Sequence, residues 1–370
     1  MDISFKVPVT TILEIHPHPN AERLSLAVVY GFQVVIPNNT YQVGEKVVYI
    51  PVDSILSNEV ENRLFGPDAK IKLTKSRVRQ IRIRKFPSQG MICKLETLGI
   101  NFATKEETDV SMILGITKYE PEIKEQNLPK GKNGRKNLAH QQFHSYNGLG
   151  NIKWFPRLFR LGEEVVIQEK LHGTNARAAK LPYRINSFWR LVKYVLGLAP
   201  KSEFLYGSNR VDITNSESYS GFYGTDVYGS VFKKMNVKDK IKDNETIFGE
   251  IIGMGIQNNY NYGHEDHTFV LFDVKILNPD GTQTWLGPEE VEKYAKDRGF
   301  AFVPVLYKGP YTPELVDLYV SGSSVYCPKE KVKEGIVIKS VKDYSIEGNK
   351  KALKCINPEY LDDHTNSDEH

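Results

Sequence analysis

The chain has 370 residues, 40% hydrophobic and 25% charged, with a net charge of +4. Those values fit a soluble globular protein with room for two domains, and exclude binding of nucleic acid through overall charge; such contact needs local clusters of cations. No apolar run approaches the ~20 residues of a membrane span, and the first residues lack a signal-peptide profile. Cys93, Cys327 and Cys355 form neither a zinc pattern nor a disulfide framework, which suits a reducing compartment. The expectation is a cytoplasmic monomer with no membrane partner, the nucleus left open.

Residues 1–120 read as short strands broken by Gly, Pro and Asn, among them 32–36, 46–50 and 78–83, with turns at Pro37-Asn38-Asn39 and Val43-Gly44-Glu45. Regular short strands favour a small barrel. Residues 70–85 hold Lys70, Lys72, Lys75, Arg77, Arg79, Arg82, Arg84 and Lys85 with no acid among them. Alternation over 80–84 puts Arg82 and Arg84 on one face and Ile81 and Ile83 on the other. A cationic barrel face of this kind tracks a phosphate backbone, so Lys75, Arg77, Arg79, Arg82 and Arg84 are candidate nucleic-acid contacts. Residues 121–142, acidic and then basic and glycine-rich, read as a linker.

The second domain is expected over 143–361, with a frayed tail at 362–370. Its key stretch is 165–177, V-V-I-Q-E-K-L-H-G-T-N-A-R. The pattern reads as a buried strand ending in a tight turn, with Lys170 at its mouth. A lysine kept neutral by nearby cations or a dry pocket is a nucleophile. Gly173 would let backbone approach a phosphate, and Asn175 and Arg177 would offer donors. Residues 187–198 have Phe188, Leu191, Val192, Val195 and Leu196 at helical spacing, most simply a helix facing the core. Pro288 and Gly299 bound another helix, and Thr312 and Gly322 a third. His264-Glu265-Asp266-His267 reads as a polar loop.

K-L-H-G-T-N at 170–175 resembles motif I of the covalent nucleotidyltransferases, the polynucleotide ligases and mRNA capping enzymes. His172, where DNA ligases and capping enzymes usually carry Asp, is similar to RNA ligases of the nick-sealing type. Further segments resemble the companion motifs in order. L-Y-G-S-N-R ends in Arg210, T-I-F-G-E contains Glu250, and T-F-V-L-F-D contains Phe272. E-G-I-V-I-K runs from Glu334 to Lys339, and K-A-L-K ends in Lys354. In this last segment the two lysines stand three apart where the family has two, so alternation cannot aim Lys351 and Lys354 the same way. Residues 12–24 also resemble the start of OB-fold tRNA-binding modules.

The resemblance implies an α+β protein: an N-terminal all-β OB-type barrel, then a nucleotidyltransferase (ATP-grasp-like ligase) domain of antiparallel sheets flanked by helices. This is the plan of the fifth RNA ligase family. It further implies ATP and a divalent metal, Mg2+ or Mn2+, and an RNA substrate whose 3′-hydroxyl and 5′-phosphate ends are joined at nicks. The roles implied are nucleophile for Lys170 and metal ligand for Glu334. His172, Lys339 and Lys354 would be catalytic. Glu169, Lys170, Asn175, Arg177, Arg210, Glu250, Phe272, Lys339 and Lys354 would bind nucleotide. The rival readings are a DNA ligase, disfavoured by His172 and by an end soon after Lys354, and a catalytically inactive RNA-binding OB protein.

Overall fold

A computed structural model describes residues 5–66, 73–119, 140–146, 148–185, 187–209, 211–214, 225–257, 260–330, 332–346 and 349–363. The chain divides into two compact units. The first comprises Met1–Glu122, Asn151–Leu158 and Pro358–His370; the second comprises Ile123–Gly150 and Phe159–Asn357. Most of the expected linker, the tail from 364, Lys70, Lys72 and Arg210 lie outside the described residues.

In the first unit, Val9–Thr11, Lys46–Ile50 and Met91–Lys94 form one antiparallel sheet, and Glu14–Pro17, Leu24–Val29 and Phe32–Pro37 form another. Lys46–Ile50 carries consecutive apolar residues because both its faces are covered. Val47 and Tyr49 join one core with Ala27 and Val34, while Val48 and Ile50 join another with Val9 and Leu98. Trp154 packs on Tyr30, Phe32 and Tyr49 with ring centroids 5.0–5.2 Å apart, tying 151–158 to this unit.

The basic run does not form one cationic strand. Its strand is confined to Ile81–Ile83, paired with Phe86–Ser88, and Arg84 and Lys85 make the turn at φ 51° and 77°. Arg82, Arg84, Lys85 and Lys75 are exposed, but so is Ile81, while Ile83 is half-buried, so alternation does not divide this strand into a cationic and a buried face. Arg77 departs furthest from expectation. It is buried, its Nη2 lies 2.7 Å from Asp53 Oδ1, and its guanidinium stacks 3.7 Å from the Tyr119 ring centroid. Arg79 is half-buried.

Among the described residues, the second unit is built on two large sheets, beside the short pair Ser345–Ile346 and Asn349–Lys350. Ala352–Ile356, Gly335–Ser340, Glu164–Lys170 and Val305–Pro310 lie side by side, antiparallel, in that order. The other sheet runs Ser202–Ser208, Thr174–Pro182, Glu245–Ile252, Thr268–Leu277 and Gln283–Trp285, with Ala301–Phe302 parallel to Thr268–Leu277. One face of it carries Ala176, Ala178, Ile247, Ile251, Phe269, Leu271 and Val274 into a core shared with the helices Val227–Lys234 and Pro288–Arg298. Pro288 opens its helix and Gly299 closes it at φ 63°, as the sequence suggests.

The helix expected over 187–198 forms as Phe188–Val195, capped by the Ser187 hydroxyl, but its apolar residues do not face the core. Phe188, Leu191, Val195 and Leu196 are exposed, and Val192 is half-buried. Arg190 turns to the protein instead, 2.7 Å from Glu203 and over the Tyr183 ring. Periodicity specifies an apolar stripe, not what covers it.

Candidate active site

Lys170 ends the strand Glu164–Lys170, opposite Gly335, and Val166 stands opposite Lys339. Val337 in turn stands opposite Lys354. Directly paired residues share a face, so Lys170, Lys339 and Lys354 project from the same side of the sheet. Lys351, one step out of phase with Ala352, points away and pairs with Glu163 at 2.7 Å. This separates Lys354 from Lys351.

Strict alternation would place Glu334 on the far face. Gly335 breaks it, with φ 154° and a position where a Cβ would come 2.2 Å from the Cys355 carbonyl. The Glu334 carboxylate consequently accepts from Lys170 Nζ at 2.5 Å. Burial pulls the Lys170 amine down, yet the Glu334 and Glu250 carboxylates outweigh it and hold the ammonium above the ordinary lysine range. The neutral amine expected from neighbouring cations is therefore not the resting state. Lys339 does not supply that influence because its ammonium is committed elsewhere, to Asp273 Oδ1 at 2.8 Å and the Phe272 carbonyl at 2.7 Å.

The second sheet supplies the opposite wall. Asn175 stands directly across from Glu250. Burial, opposed by Lys170 and assisted by Glu334, pushes the Glu250 carboxyl up to about 8. Asn175 Oδ1, Glu250 Oε2 and Glu334 Oε2 are buried without a hydrogen-bond partner among the described residues. Such atoms are costly unless a ligand satisfies them. Gly173 owes its identity to strand packing, since a Cβ there would lie 2.5 Å from the Ile251 carbonyl. The His172 N–H donates to the Tyr262 hydroxyl at 2.7 Å, and its ring meets Tyr260 edge-on at 5.5 Å.

Alternation along Thr268–Leu277 is interrupted by a bulge. Phe248 pairs with Asp273 and Gly249 with Leu271, leaving Phe272 without a partner. Leu271 and Val274 stay in the core, so Phe272 and Asp273 both turn to the Glu250 side. Phe272 packs on Tyr146 with ring centroids 4.9 Å apart. Asp273, fully buried, accepts from Lys339, from the Tyr146 hydroxyl at 2.6 Å and from the Tyr344 hydroxyl at 2.7 Å. Reading the motifs overlooked Asp273 as a hub; the signal was an acid inside T-F-V-L-F-D-V, which needs partners wherever it points.

Two expected nucleotide contacts are engaged otherwise. Glu169 alternates to the far face, where one oxygen accepts from Ser324 Oγ at 2.5 Å and the other from the Val325 and Tyr326 amides at 2.7 and 3.1 Å. Arg177 is buried and donates to the Ser208 and Phe143 carbonyls at 3.0 and 2.9 Å; burial pulls its guanidinium down to about 10. In the 264–267 loop, His264 faces Tyr326, Asp266 pairs with Lys234 and His267 with the Met254 carbonyl. Among the described residues no group of three His, Cys, Asp or Glu gathers to hold a metal ion.

The RNA ligase family model matches residues 163–356, and an OB-fold domain model matches residues 6–95. No curated protein matches the chain. Among solved structures, the Naegleria gruberi RNA ligase with pyrophosphate is 21% identical at a TM-score of 0.72, covering 98% of this chain and 99% of its own. A variant of that ligase with ATP and Mn gives the same values. An apo variant gives 21% identity and a TM-score of 0.73, with 99% of each chain covered. The Naegleria structures share the fold, and the family model spans the strands that bring Lys170, Glu250, Asp273, Glu334 and Lys354 into one unit. The chain belongs to the RNA ligase family.

Proposed function

We propose that the chain is an ATP-dependent RNA ligase that joins 3′-hydroxyl and 5′-phosphate ends through lysyl-AMP and RNA-adenylate intermediates. Its preferred substrate is a nicked duplex with RNA on the 3′-hydroxyl side. One observation carries the reading: Lys170 meets Glu334 at 2.5 Å, and the carboxylates around it keep buried oxygens unsatisfied. The Naegleria structures with ATP and Mn support ATP and a divalent ion as the ligands of these oxygens.

Lys170 Nζ sheds a proton and forms the P–N bond to the α-phosphorus of ATP, with pyrophosphate leaving. AMP then moves to a 5′-phosphate end, and a 3′-hydroxyl attacks the activated phosphorus and expels AMP. The chain mainly positions groups and balances charge. Glu250 meets the ribose hydroxyls and Phe272 the base. Lys354, on the Lys170 face, meets the phosphates, and His172 serves the later steps. Arg210 is assigned to the phosphates by its motif alone. Glu334 Oε2 fits a divalent ion. With no three-ligand cluster among the described residues, water and phosphate oxygens would complete its shell, as Mg2+ and Mn2+ allow. That ion would supply charge neutralisation at the phosphates and draw Glu334 from Lys170. Lys75, Arg79, Arg82 and Arg84 are the remaining candidates for RNA contact.

Incubation with α-labelled ATP and Mn2+ should label the chain covalently and fail with Lys170→Met. Label retained by that variant would remove Lys170 as nucleophile. Nick sealing with each strand switched between RNA and DNA tests the substrate, and a preference for DNA on the 3′-hydroxyl side would make this a DNA ligase.

A further inference from the structure

The helix Phe188–Val195 presents several large apolar side chains to solvent. Phe188 is 71% exposed, Trp189 74%, Val195 73% and Leu198 72%. Phe188, Trp189 and Val195 belong to one helix and Leu198 follows its end, and clustered apolar exposure of this kind marks an interaction surface.

At about 100° per residue, Phe188, Val195 and Leu191 lie at the centre of the exposed arc. Trp189 lies at one margin and Tyr194 at the other. Arg190, on the far side, is tied to Glu203 at 2.7 Å and to the Arg184 carbonyl at 2.5 Å, which fixes the arc outward. The arc from Tyr194 to Trp189 covers more than half of the circumference, with the half-buried Val192 inside it, and is wider than the ~100° stripe that a facing helix or groove covers. Its order is apolar in the middle and amphipathic rings at the edges, the arrangement that suits an apolar–aqueous boundary.

Charge selects which boundary. Residues 180–201 carry Lys180, Arg184, Arg190, Lys193 and Lys201 and no Asp or Glu. Lys193, on the helix, and Lys201, six residues past its end, are exposed. A short helix with an apolar crown, aromatic margins and cationic flanks matches an anionic lipid surface.

We propose that Phe188–Val195 seats this ligase peripherally on anionic membranes, its apolar arc immersed at the headgroup level and Lys193 and Lys201 against the lipid charge. The absence of a membrane partner expected from the lack of an apolar span does not extend to this mode, because an interfacial helix need not cross the bilayer.

The test is co-sedimentation of the full chain with vesicles of phosphatidylcholine alone or with about one-third phosphatidylserine. Binding to the anionic vesicles should exceed binding to neutral ones by about tenfold or more. It should fall by at least that factor in Phe188→Ser/Val195→Ser, with an unchanged unfolding temperature. A vesicle-induced blue shift of tryptophan emission should vanish in Trp189→Phe. No binding to either vesicle overturns the proposal. So does equal binding by the double variant, or dimerisation of the parent that the double variant abolishes, which would make a second copy the occupant.

Discussion

Replacing Asp273 by Leu removes a fully buried carboxylate while keeping its heavy-atom count and branching. Three donors lose their acceptor: Lys339 at 2.8 Å, the Tyr146 hydroxyl at 2.6 Å and the Tyr344 hydroxyl at 2.7 Å. Lys339 is itself 1% exposed and is left as a buried ammonium against the Phe272 carbonyl. Breaking a buried ion pair from one side costs about 3–5 kcal/mol, and the two hydroxyls, at about 1 kcal/mol each, move the figure toward the upper end. The double variant Asp273→Leu/Lys339→Met replaces both charges with apolar groups and should recover most of that loss, since a well-packed apolar substitute for a buried pair is often neutral. Native-state hydrogen exchange of Thr268–Leu277 and Gly335–Ser340 reads the opening free energy of the strands concerned. A single variant that loses under about 1 kcal/mol, the range of a surface pair, would refute the reasoning. So would a double variant whose loss equals the sum of the two singles.

Three further outcomes follow from the same geometry. In Glu334→Gln, Lys170 loses the carboxylate that holds its ammonium above the ordinary range, so the pH midpoint for acylation of Lys170, followed by mass spectrometry, should move down; an unmoved midpoint would exclude that pairing in solution. The Glu250 carboxyl is raised from 4.5 to about 8, so its contribution to stability is full below 4.5 and lost as pH rises through about 8. Glu250→Gln should remove that slope, worth on the order of a few kcal/mol, and urea titrations across this window should show the variant gaining on the parent. Arg77→Ala should destabilise the first unit by about 1–2 kcal/mol while leaving the salt dependence of RNA binding unchanged. Arg82→Ala and Arg84→Ala should each lower the slope of log K against log salt by about 0.7–0.9 for every phosphate the arginine no longer neutralises, with stability unaltered. The reverse pattern would place Arg77 on the RNA.

Motif spacing along the chain was enough to locate the ligase unit, because Lys170, Glu250, Glu334 and Lys354 sit in short runs whose chemistry is local. Short apolar runs bounded by turn residues correctly marked Lys46–Ile50, and cap residues correctly marked Pro288–Arg298. These are properties of neighbouring residues. Alternation also separated Lys351 from Lys354, as the register of Ala352–Ile356 against Gly335–Ser340 requires.

Direction and partnership were set by the fold. The bulge at Phe272 and the turn at Gly335 each shift side chains across a sheet by breaking a period that a linear reading assumes unbroken. Arg77 and Lys339 read as free cations because Asp53 and Asp273 are 24 and 66 residues away along the chain. The 188–195 stripe read as core because apolar periodicity is the same whether the opposite surface is protein or something else. Which groups meet depends on chain segments brought together only on folding, and no local pattern of residue types carries that information.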